Sequence, residues 1–235
     1  MSELTQSQLE HKTESLTVNG LRADAQAIIG AVGYTPTKLG EGANRLAAAK
    51  ADHTAVQDAM NAQKQATRQE ADARAAAEQL LGSFGETARI VFAGDEPTLT
   101  ALLLTTRYET KAGADGQPAE QVAARPSKST ADVLKRWRTQ LGVATGLEAE
   151  KLAVLNVAGW SADRLGAASQ AVEAYASADL AQRTAFQTHQ QAQAKQQDDL
   201  AALRQWYSTA AALCKRAVKD ADLGDKQGLL TLLDL

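Results

Sequence analysis

The residue types that usually carry chemistry are few in this chain and poorly spaced for it. Its three histidines, His11, His53 and His189, lie far apart in sequence. None stands in a metal-binding spacing, and the chain has no Glu-x-x-His units of the kind a di-iron helical bundle turns inward. Asp52 and His53 are adjacent, and neighbours on a helix point in different directions, so they do not converge on one ion. Cys214, the single cysteine, falls in an apolar series and reads as a small core residue rather than a nucleophile. Lys135, Arg136 and Arg138 surround Trp137 and could meet a phosphate or an acidic protein surface. The plainer reading is a solvated basic face with Trp137 turned inward. Phosphate loop, nucleophile elbow and dinucleotide fingerprint are all missing. The expectation is a non-enzymatic protein with no catalytic, cofactor-binding or metal-binding residue.

The elements behind these side chains are organised by a duplication. Gly20 to Gly40 and Gly146 to Gly166 align without a gap at a constant offset of 126 residues. Identity holds at Gly20/Gly146, Leu21/Leu147, Ala23/Ala149, Ala27/Ala153, Gly33/Gly159, Leu39/Leu165 and Gly40/Gly166. Asp24/Glu150, Ile28/Val154, Tyr34/Trp160 and Lys38/Arg164 conserve shape or charge, so the two stretches should share one backbone. The division that follows is a first helical unit over 1–104, a linker over 105–128 and a second helical unit over 129–235.

At the centre of each unit is a corner specified by helix grammar. Gly33 can take the left-handed conformation that ends a helix. Thr35 then stands at an N-cap and Pro36 at the first helical position, where its φ is already set. Tyr34 and Leu39 occupy the flanking positions of a hydrophobic staple. Gly159, Trp160, Ser161 and Leu165 take the same places in the second unit, with Asp163 adding a negative charge to the first turn. These nine corner residues are the structural positions the sequence marks most clearly. A ligand-stacking role for the aromatic is the weaker reading of the motif.

Ala43 to Leu81 and Ala167 to Leu223 contain neither Gly nor Pro, which predicts two very long helices. New helices could start at Asp52 or Asp179, where an acidic side chain could cap. Heptad-like series run through Leu200, Leu203, Tyr207, Ala210, Cys214, Ala217 and Ala221, and through Ala55, Ala59, Ala62, Ala66, Gln69, Ala73, Ala76 and Leu80. Such seams let helices approach closely but bury little per residue, so they need partners along their length. Further helices are expected over about 3–16 and 129–143, with Thr145 to Glu148 reading as a capping box. Leu99 to Leu104 and Leu229 to Leu233 should form short helices packed on the bundle.

Composition sets the outer limits. The 235 residues include only 4% aromatics, and Ala, Gln, Leu and charged helix formers predominate, so the fold class is all-α: an elongated helical bundle. A net charge of −3 supplies no field for nucleic acid. The polar opening MSELTQSQLEHKTE is unlike a secretory leader, and no stretch reaches the apolar length of a transmembrane segment. A cytoplasmic location is the expectation, and one cysteine fits a reducing compartment.

GYTPTKLG, QKQATRQEADARAAAEQLL and ETARIVF together resemble a diffuse group of uncharacterised bacterial all-helical proteins. Members carry a Gly-aromatic-Thr-Pro corner followed by a long Ala-rich helix. The resemblance covers most of the first unit and extends to the second with Trp160-Ser161-Ala162 in place of Tyr-Thr-Pro. It implies a helical fold and no assigned activity. The functional expectation is therefore a structural or scaffold protein, self-assembling as a homo-oligomer or bound to a protein partner through long helical faces. The alternative is a peripheral amphipathic module coating a lipid, polymer granule or inclusion surface.

Overall fold

The computed structural model describes residues 4–105, 108–111, 120–123, 129–222 and 224–235. Among these the fold class is all-α, with eight α-helices: α1 (Gln6–Asn19), α2 (Ala23–Ile29), α3 (Pro36–Val91), α4 (Glu96–Ala101), α5 (Thr130–Thr145), α6 (Ala149–Val157), α7 (Ala162–Asp220) and α8 (Lys226–Leu232). Within the segment expected to be a linker, β1 (Tyr108–Lys111) and β2 (Glu120–Ala123) pair antiparallel, Tyr108 opposite Ala123. The rest of 106–128 lies outside the described residues.

Helix α3 has 56 residues and α7 has 59, and both are unbroken. The alternative starts at Asp52 and Asp179 are not used: α3 and α7 run through both, and the two carboxylates pair with Lys195 and with Arg183, four residues on along α7. Helix α3 also continues past Leu81 through Gly82 and Gly85. Each interior Gly costs about 1 kcal/mol relative to Ala, but Phe84 and Ala88 extend the buried stripe beyond them. The capping box read at Thr145 to Glu148 does not form. Thr145 closes α5 instead, its hydroxyl donating back to the carbonyls of Leu141 and Gly142, and Glu148 precedes α6 without a side-chain cap.

The chain forms two compact units: residues 1–62 with 185–235, and residues 63–184. This is not the division at 1–104, 105–128 and 129–235 that the repeat suggests. The long helices are the reason, since each is longer than one core and contributes its first part to one unit and its last part to the other.

Unit 1 contains α1, α2, the first part of α3, the last part of α7, and α8. Its core gathers Leu9, Leu16, Ile29, Tyr34, Leu39, Leu46, Leu203, Trp206, Tyr207, Cys214 and Leu233. Here α3 and α7 run antiparallel, since Gly42 lies against Trp206 while the later Asp52 pairs with the earlier Lys195. The C-terminal turn is tied in by polar contacts. Lys12 Nζ pairs with Asp234 at 2.8 Å, Asn19 Nδ2 donates to the Leu232 carbonyl at 2.7 Å, and Tyr207 donates to the Asp234 carbonyl at 3.2 Å.

Unit 2 contains the last part of α3, α4, α5, α6 and the first part of α7, together with the strand pair. Leu81, Phe84, Phe92, Leu102, Leu134, Trp137, Leu141, Leu155, Trp160, Leu165, Val172 and Tyr175 form its core. Arg138 grips Glu173 with two hydrogen bonds of 2.7 Å, linking α5 to α7. Lys151 on α6 reaches Asp95 at 3.0 Å and Thr98 at 2.6 Å.

Burial extends the duplication well beyond the residues that remain identical. At the same offset of 126, Ile29/Leu155, Tyr34/Trp160, Leu39/Leu165 and Leu46/Val172 are buried in the first parts of the repeats. Ala77/Leu203, Leu81/Tyr207, Phe84/Ala210, Ala88/Cys214 and Phe92/Val218 are buried in the last parts. Each compact unit is thus built from the head of one repeat and the tail of the other.

Candidate functional site

The two corners have the same backbone. Gly33 and Gly159 adopt φ of 91° and 86°, in the left-handed region where a Cβ is penalised. In the first corner Tyr34 N–H donates to the Ile29 carbonyl at 3.1 Å and Gly33 N–H to the Gly30 carbonyl at 3.0 Å. Trp160 and Gly159 make the equivalent bonds to Leu155 and Asn156, both at 2.9 Å. This is the Schellman arrangement, which satisfies carbonyls left open at a helix end. Pro36 then opens α3 and Ala162 opens α7. The hydroxyls of Thr35 and Ser161 accept from the N–H groups of Lys38 and Arg164 at 3.5 and 3.4 Å, so both caps are long.

The corner aromatics are core side chains rather than open stacking platforms. Tyr34 is buried and meets Trp206 edge to face, with ring centroids 6.1 Å apart. Trp160 is buried against Phe84 at 5.1 Å, and its indole N–H donates to Thr87 Oγ1 at 3.2 Å. The Arg164 guanidinium lies 4.4 Å from the Trp160 ring centroid and also donates to the Gly159 carbonyl at 3.0 Å. Leu39 and Leu165 are buried in the respective cores. The nine corner residues therefore gather as two separate sets, one in each unit.

A polar layer in unit 1 is the feature the sequence reading missed. Buried Asp52 is ion-paired with Lys195, which also contacts Asp199 at 2.9 Å. The carboxylates of Asp52 and Asp199 raise the Lys195 ammonium above its usual range, and Lys195 in turn lowers Asp199. Among the described residues, Asp52 Oδ2 has no hydrogen-bond partner. His53 Nδ1 faces the Gln196 amide at 3.2 Å. The signal was available: Ala49, Asp52, Val56 and Ala59 step by three and four along α3, placing an acid within an otherwise apolar stripe.

The remaining candidates have ordinary environments. Cys214 is fully buried, and burial pushes its thiol up to about 12, far from a nucleophile's range. Trp137 is buried, Lys135 is exposed, and Arg138 is committed to Glu173. Among the described residues, no group of three or more His, Cys, Asp or Glu is placed to hold a metal ion, and no helix is long and apolar enough to cross a membrane.

Exposed apolar side chains occur beside both corners and also along α1, α3 and α7, at Val18, Ile90, Leu180, Phe186 and Leu213. In unit 1 a groove of about 340 Å³ is lined by Ala27, Ile28, Ala31, Val32, Arg216, Ala217, Asp220 and Ala221. In unit 2, Val154 and Val157 on α6 and Ile90 near the end of α3 are exposed. Val154 and Val157 stand 126 residues after Ile28 and Ala31, at the equivalent places of the repeat. Compared with protein families, curated proteins and solved structures, the chain matches none.

Proposed function

We propose that this is a non-enzymatic structural or scaffold protein that associates with further copies of itself through exposed helical faces. The observation that carries the reading is the apolar surface exposed in unit 2 by Val154 and Val157 on α6 and Ile90 on α3, with a shallow, partly apolar groove at the corresponding place of unit 1. Val157 is 90% exposed and Ile90 78% exposed, although each stands beside a well-packed core. Large apolar side chains left in water beside a packed core are more simply explained by a contact than by folding. Two quasi-equivalent faces on one chain would let copies join in series or close into a ring. Arg216 and Asp220 border the unit 1 groove with both signs of charge, which suits a protein surface better than an anionic one.

Light scattering coupled to size exclusion over a wide concentration range tests this. The expected result is a mass rising above the 24.8 kDa of one chain, and returning toward it in Val157→Lys and Ile90→Lys variants whose melting is unchanged. A particle of one chain at every concentration, with the variants indistinguishable from the parent, would overturn the proposal.

A further inference from the structure

The head of one repeat and the tail of the other meet in each compact unit, and the two meetings use different side chains. In unit 1, Gly42 and Asp52 from the head of α3 lie against Trp206 and Lys195 from the tail of α7. The equivalent places in unit 2, at the same offset of 126, hold Ala168 and Ala178 in the head and Leu80 and Gln69 in the tail. These sets are not interchangeable. A Cβ at residue 42 would lie 2.2 to 2.6 Å from three carbons of the Trp206 ring, so a head carrying Ala168 there collides with the indole.

The converse pairing fails for a different reason. Setting the head of repeat 1 against its own tail puts Gly42 opposite Leu80, leaving space that the indole now fills. It also puts Asp52 opposite Gln69, burying a carboxylate whose cation has gone. Both like-with-like pairings carry a penalty that the unlike pairing avoids, which is how a specific interface rejects wrong partners.

We infer that the two repeats are obligate unlike partners, a heterodimer carried in one chain. Pairing is specified by size at Gly42 and Trp206 and by charge at Asp52 and Lys195. The connection between the repeats then serves to keep the partners at high local concentration. This holds whether or not whole chains associate further.

A protease site inserted between Lys111 and Glu120 of the full chain, and cut after folding, provides the test. The two fragments should stay together in equimolar amounts at the elution volume of the uncut protein, and part only on denaturation. After denaturation and refolding, native mass spectrometry should again find one fragment of each kind per pair. Free fragments after the cut, or a statistical mixture of like and unlike pairs after refolding, overturns the inference.

The code itself is tested by giving unit 1 the residues of unit 2, with Gly42→Ala, Asp52→Ala, Lys195→Gln and Trp206→Leu combined. Cut and refolded, this variant should yield like pairs alongside unlike ones. Exclusive unlike pairing would remove the code from these four residues. The unsubstituted cut chain carries the test of the heterodimer independently of how this variant folds.

Discussion

Gly40 and Gly42 stand two residues apart in the first turns of α3, and the same substitution should act on them with opposite sign. Among the described residues a Cβ at Gly40 meets nothing within 4 Å, whereas one at Gly42 meets Trp206 Cη2, Cζ2 and Cζ3 at 2.2, 2.3 and 2.6 Å. Trp206 cannot easily yield, being 8% exposed and set edge-on to Tyr34. Replacing an interior helical Gly by Ala contributes about 1 kcal/mol of stability through backbone entropy. Overpacking a close-packed site costs about 1–3 kcal/mol. Gly40→Ala should therefore raise the melting temperature by roughly 2–4 °C for a chain of this size. Toward the upper end of the overpacking range, Gly42→Ala should lower it by roughly 4–8 °C, the propensity gain being outweighed. Calorimetry or thermal circular dichroism of the two single variants reads the contrast directly. Adding Trp206→Leu to Gly42→Ala, which reproduces the Ala168 and Leu80 pairing of the other unit, should recover part of the loss as a coupling of about 1 kcal/mol or more. If Gly42→Ala stabilises as much as Gly40→Ala, the indole is not wedged against the helix and the size argument is refuted.

Gly33→Ala and Gly159→Ala should each cost about 1–2 kcal/mol in urea unfolding, because a left-handed backbone disfavours a Cβ; at Gly33 no atom crowds the new carbon, so the loss is conformational. Asp95 has its carboxyl held down to about 2 by the Thr98 hydroxyl first, with Lys151 assisting. A lowered acid contributes stability that is whole above its ordinary 3.8 and lost as pH falls toward 2, so an acid melting series on Asp95→Asn should decline less steeply than wild type across that window. Cys214 has the opposite sign. Its contribution is intact below 9.0 and disappears as pH climbs toward about 12, and a thiol reagent at about pH 8 should modify it only after unfolding.

Both the legible and illegible parts of this chain follow from its composition. The corners were readable because Gly33, Pro36, Gly159 and the aromatics beside the glycines act locally: their preferences depend on a few neighbouring residues. The long helices were readable because Gly and Pro are absent over dozens of positions. The buried stripe of α3 was only half readable. Ala59 and Ala66 are buried as the heptad series required, but Ala55, Ala62 and Ala76 face solvent, and the stripe runs through Val56, Ala77 and Leu81. Alanine occurs on every face of this helix, so its spacing carries little information, and the few large side chains mark the core instead. The partition into compact units was not readable at all, because which head meets which tail depends on contacts such as Lys195 with Asp52 that lie 143 residues apart.

Tail exchange also answers the difficulty that an alanine-rich seam poses. A helix lined with Ala approaches its neighbour closely but removes little apolar area from water, at about 25 cal/mol per Å². Each unit adds to this with a few large residues supplied by one repeat against small or complementary ones supplied by the other. Trp206 fills the space above Gly42 in unit 1, while Phe84 meets Trp160 in unit 2. The large partner comes from the α7 tail in the first case, and in the second both partners are large, so the two units allocate volume differently. A substitution in one repeat must therefore be matched in the other, not in its own continuation along the chain. That is the coupling expected of two proteins that bind each other, and here it lies within a single sequence.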